Sequence, residues 1–98
     1  MDAKDSRIHF RIAVSEAHKD AYRMMKVLEN DYGRVKDDEK DDVIAEIKRL
    51  YEAYRYRRRL YREGDGEKVV KDYLYVVHEL LRMTTRAEKV MERLDGNG

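Results

Sequence analysis

The sequence predicts an all-α fold, a single-domain up-down-up three-helix bundle covering residues 1–98, and three observations predict it. The 98 residues include no proline and only five glycines, which suits long, uninterrupted helices. The glycines are placed as punctuation. Gly33, the pair Gly64 and Gly66, and Gly96 with Gly98 leave three segments of similar length, 5–32, 36–63 and 67–95. Within each segment apolar residues recur by threes and fours, the helical period and not the strand period. At about 1.5 Å per residue each segment spans roughly 40 Å, and three matched rods joined by short loops pack side by side.

Helix 1, residues 5–32, is expected to start at Asp5 or Ser6, whose side-chain oxygen can cap orphan backbone N–H groups. Its apolar stripe reads Phe10, Val14, Ala17, Ala21, Met24 and Leu28, with Ile8 and Ile12 off it. The small residues Ala13, Ala17 and Ala21 suit close helix packing. Helix 2, residues 36–63, has Asp37 or Asp38 as its cap. It turns Val43, Ile47, Leu50, Tyr54 and Tyr61 inward, with Ile44 and Tyr51 beside them. Helix 3, residues 67–95, has Asp65 as its cap and the broadest apolar face. Tyr73, Val77, Leu80, Thr84, Ala87, Met91 and Leu94 form its stripe, and Val69, Val76, Met83 and Val90 widen it. It is therefore expected to be the most buried, against both other helices. Each glycine just past a helix end is expected to take the left-handed cap conformation. Surface ion pairs are expected between Glu67 and Lys71 and between Arg59 and Glu63, at helical i,i+4 spacing.

Charged residues make up 44% of the chain, yet the net charge is only +1. A disordered chain combines high net charge with no apolar period, so disorder is excluded. Without cysteine there is no disulfide framework, thiolate metal site or thiol nucleophile. No apolar run approaches the length of about 18 residues that a membrane span needs, and "MDAKDSRIHF" lacks an apolar signal core. A soluble, cytoplasmic protein is the expectation.

The most distinctive stretch is "YRYRRRLYR", residues 54–62, with three of the eight tyrosines and five arginines. The same helix opens with "KDDEKDDV". Acids at a helix start and bases at its end both complement the macrodipole, which accounts for most of the basic run. Residues 36–63 hold nine basic and eight acidic side chains, whereas a nucleic-acid domain is more often strongly basic overall. Arg57 resists this account, because the series 43, 47, 50, 54, 57, 61 points it at the core and Arg58 lies only about 40° from that face. These arginines must snorkel outward or meet acids or tyrosine hydroxyls across the bundle. As a binding site the candidates are Tyr54, Arg55, Arg57, Arg58, Tyr61 and Arg62, since arginine with aromatic rings is the chemistry that holds single strands and acidic partners.

Nothing points to an enzyme, a metal or a cofactor. His9 and His18 stand nine residues apart, on opposite sides of helix 1. Glu16 and His18 are at i,i+2, which do not face each other, and His78 diverges from Glu79. No carboxylate sits in an apolar stripe; Asp20, Glu46, Asp72 and Glu88 read as solvated. Ser6, Ser15, Thr84 and Thr85 have no positioned base, and "GDG" at 64–66 is a helix connection and not a phosphate cradle.

Across its whole length the chain resembles de novo designed helical bundles. The residues that carry the resemblance are the minimal polar turns "YGRVK" and "EGDGE" and the charge order from "DDEKDD" to "RYRRRLYR". Eight tyrosines, five methionines and the mid-helix Thr84 and Thr85 depart from an idealised style. The resemblance implies a soluble scaffold with no evolved biochemical activity, needing no partner and monomeric. The alternative is a helical module that binds nucleic acid or an acidic protein through the Tyr/Arg-rich end of helix 2. A third reading is self-association through helix 3 or through Ile8 and Ile12.

Overall fold

Each predicted segment is one helix. The computed structural model describes the backbone of residues 3–96 and the side chains of residues 16–96, residue 65 excepted in both. The helices are α1 (Ala3–Asp31), α2 (Asp38–Glu63) and α3 (Glu67–Gly96). Every pair of helices is in contact, so the fold is an all-α three-helix bundle. The side chains of Phe10, Val14, Ile8, Ile12, Ala13 and His9 lie outside the described residues, as do Asp65 and Gly98.

The buried series has a 3.5-residue period. On α3 the buried residues Tyr73, Val76, Leu80, Met83, Ala87 and Val90 alternate by threes and fours, the spacing that keeps one seam facing neighbouring helices. Val77 is buried beside them, and Thr84, Met91 and Leu94, expected at the centre of the stripe, flank it half-buried. The Thr84 hydroxyl donates to the Leu80 carbonyl at 3.0 Å, which satisfies it inside a helix that does not otherwise favour threonine. On α1 the seam runs through Ala21, Met25 and Leu28, with Ala17 buried beside them. Met24, placed in the stripe by the sequence, is half-buried, and Met25 takes the inner position. The two are one residue apart, about 100° of turn, and α1 faces two partners, so its inner face is wide enough to admit either. Leu28, Val43, Ile47, Leu80, Met83 and Val90 are the largest fully buried side chains, each contributing about 1.5–3 kcal/mol relative to exposure.

On α2 the seam is Val43, Ile47, Leu50 and Tyr54. Extended by the same alternation it reaches Lys40 at one end and Arg57 at the other. Lys40 is buried, 3% exposed. Its ammonium donates to the carbonyls of Tyr32 at 2.8 Å and Val35 at 2.6 Å. α1 has no basic residue in its last turn, so Lys40 brings positive charge to the electronegative end of α1 from the neighbouring helix.

Asp37 is the N-cap of α2, in extended backbone, and Oδ1 accepts from the Lys40 N–H at 2.9 Å. Asp38, the alternative cap, is already helical. Asp5 and Ser6 are not caps either, because α1 is under way from Ala3. The left-handed glycine caps do not form: no described glycine has positive φ. Gly64 is extended, φ −168° and ψ 156°, and its N–H reaches back to the Leu60 carbonyl. Gly33 matters for a different reason. A Cβ there would lie 2.4 Å from the Glu29 carbonyl oxygen, an approach that only glycine permits.

The α1–α2 loop is fastened to the far end of α3. Arg93 donates both Nη groups to the Asp37 carboxylate, each at 2.8 Å, and the Tyr32 hydroxyl donates to Asp95 at 2.5 Å. The bond from Arg93, then that from the Lys40 N–H, hold the Asp37 carboxyl down at about 2. The bond to Asp95 raises the Tyr32 phenol.

Candidate functional site

The C-terminal half of α2 is built on opposite charges at the two ends of one helix. Asp38, Glu39 and Asp41 lie in its first turn and Arg62 in its last, and both arrangements favour the helix dipole. The helical turn then sorts residues 54–62 into two groups.

Tyr54 and Arg57 face the bundle. Tyr54 is 3% exposed. Its ring stacks on His18 at 4.6 Å and 15°, and lies 5.8 Å from Tyr73, which in turn stacks on Tyr61 at 4.9 Å and 13°. His18 also lies 6.2 Å from Tyr51, itself 5.2 Å from Tyr22. Six rings from three helices thus form one aromatic cluster. Burial, and then a hydrogen bond with Tyr54, push the Tyr73 phenol well above its ordinary 10.0. Arg57 donates to Asp72 of α3 at 3.2 Å and lies 5.5 Å from the centre of the Tyr56 ring. An acid across the bundle therefore answers the seam arginine, and Asp72, read from the sequence as solvated, is its partner.

Arg55, Arg58, Arg59 and Arg62 face outward. With Glu63 they line an open depression of about 330 Å³. Among the described residues none forms a hydrogen bond or ion pair with these four guanidinium groups. The pair expected between Arg59 and Glu63 is absent, while Lys71 and Glu67 do pair, at 3.1 Å. Four other arginines are occupied, Arg23 by Asp20, Arg49 by Glu46, Arg82 by Glu79 and Arg93 by Asp37, whereas Arg34 and Arg86 have no ion-pair partner among the described residues. The α2–α3 flank shows the contrast. Its depression of about 390 Å³ sets Arg49, Arg57 and Arg82 against Glu46, Asp72 and Glu79. Glu46 is held low there, first by its bond from Arg49, with Arg82 and Arg86 adding to it.

Of the six residues singled out in the sequence, Arg55, Arg58 and Arg62 come together. Tyr61 stands at their edge, 38% exposed and stacked on Tyr73. Tyr54 and Arg57 are turned away. Arg59 joins the group and was overlooked, although its position four residues after Arg55 and three before Arg62 places all three on one helix face. Lys40 was overlooked too, and the 3.5-residue period extended backward from Val43 would have found it.

His18 is half-buried within the aromatic cluster, and His78 is exposed. Among the described residues no group of three histidine, aspartate or glutamate side chains is placed to hold a metal ion, and no helix is long and apolar enough to cross a membrane. Comparison with protein-family models, with curated proteins and with solved structures gives no match.

Proposed function

We propose that this chain is a helical-bundle scaffold that binds an anionic partner along the outer face of the C-terminal half of α2, acting by contact and not by catalysis. The observation that carries this reading is the set of four guanidinium groups, Arg55, Arg58, Arg59 and Arg62, which line one depression with Glu63 and have no ion-pair partner among the described residues. Guanidinium is the side chain best matched to phosphate and carboxylate oxygens. With a net charge of only +1, attraction is concentrated at this edge and is not a property of the whole surface. The helix backbone fixes the spacing of the four groups before any partner arrives.

Thermal unfolding with inorganic polyphosphate at low salt tests the proposal. A ligand that binds only the folded state stabilises it by mass action, about 2.7 kcal/mol at a hundred times Kd. The expected result is a concentration-dependent rise in Tm that disappears when the four arginines are replaced by alanine. No rise at low salt sinks the reading.

A second reading is supported by the charge order along α2 and by the Asp37 cap: a bundle specified only to fold, as in designed helical bundles. It expects no response to any polyanion and a monomeric mass at every concentration in sedimentation.

A further inference from the structure

Resting on the anion-binding reading of α2, we infer that the anion is single-stranded nucleic acid, its phosphates taken by Arg55, Arg58, Arg59 and Arg62 and a base laid against Tyr56. Residues 55–62 rise about 10 Å along the helix, a short track that meets a few successive phosphates. A rigid duplex lying along α2 runs on toward Asp38, Glu39, Asp41 and Asp42, roughly 25 Å from Arg58 at the helical rise. A duplex lying across α2 meets the α2–α3 flank, where Glu46, Asp72 and Glu79 already neutralise the arginines. A flexible strand bends away from both.

The aromatic neighbour separates a strand from an acidic peptide. Tyr56 is 54% exposed and stands three residues before Arg59, on the adjoining face. Arg57 lies over its ring without covering it. Ring faces and guanidinium planes next to a basic track are what bases stack on, and a carboxylate chain has no use for them.

Fluorescence anisotropy tests this with a labelled thymidine oligomer, a duplex of the same length and an oligoglutamate peptide. The strand should bind most tightly. With about four phosphates neutralised, affinity should fall roughly 50-fold from 50 to 200 mM salt. Arg58→Gln with Arg62→Gln, both exposed, should lower the slope of log K against log salt by about 1.4. Tyr56→Ala should weaken binding about fivefold or more and leave the slope unchanged, with circular dichroism showing an intact bundle. Equal affinity for the duplex or the peptide overturns the inference and leaves the anion-binding reading standing. Stabilisation by polyphosphate without strand binding does the same. Failure of strand and polyphosphate together overturns both.

Discussion

Lys40 has its stem in the core and its ammonium on two carbonyls. Removing that donor strands the carbonyls of Tyr32 and Val35, so Lys40→Met is expected to destabilise by about 1–3 kcal/mol in urea unfolding even though the new side chain is apolar. Asp37 sets acid behaviour. Its carboxyl lies at about 2 in the folded state against an ordinary 3.8, so its contribution is fully present above about pH 3.8 and is lost as pH falls toward 2. Asp37→Asn keeps an oxygen at the cap but removes the charge, and its Tm should vary less with pH than the wild type's across that window. Tyr73 acts at the alkaline end. Its phenol is raised above 10.0, so its contribution is fully present below about pH 10 and declines as pH rises from there through the folded value. In a spectrophotometric titration, Tyr73→Phe should remove a tyrosine that ionises above the ordinary 10.0.

At the scale of the helix, α2 shows how one repeat tolerates charge at both ends. Lys40 and Arg57 occupy seam positions, and each is met by oxygen: backbone carbonyls for Lys40 and Asp72 for Arg57. With both partners of the Arg57 pair more than a third exposed, 38% and 35%, a double-mutant cycle on Arg57 and Asp72 should yield about 0.2–1 kcal/mol and shrink with salt. The junction between α1 and α2 is less forgiving. Gly33→Ala places a methyl group 2.4 Å from the Glu29 carbonyl oxygen, and backbone must move to relieve it. A loss of about 1–3 kcal/mol is expected, read as an earlier urea midpoint.

The whole molecule measures 48 × 29 × 17 Å with a radius of gyration of 15.5 Å, against about 13 Å for a rounder fold of 100 residues. An elongated bundle has more surface to cover, which is where a charged content of 44% goes. Its core is thin and shared, so no helix can bury its seam alone. Leu80, 0% exposed on α3, is packed within that shared core. Leu80→Ala should destabilise by about 2–5 kcal/mol. Far-ultraviolet circular dichroism and the near-ultraviolet tyrosine signal should still fall in one coincident transition.

Helix number, helix type and most of the inward-facing residues were determined by the sequence itself, because proline, glycine and apolar period act locally along the chain. Val43, Ile47, Leu50, Tyr54, Leu80 and Ala87 could be placed inside on spacing alone. Tertiary structure decided what spacing cannot carry. Whether Met24 or Met25 turns inward depends on where the neighbouring helices lie. Whether a seam cation is a liability or a tie depends on which oxygens the fold brings to it, and Tyr32, Val35 and Asp72 are eight, five and fifteen residues from the cations they meet. The same holds for the arginines of α2. Their number is written in the sequence, but only the fold sets Arg57 against Asp72 of α3 while Arg55, Arg58, Arg59 and Arg62 line a depression with no ion-pair partner among the described residues.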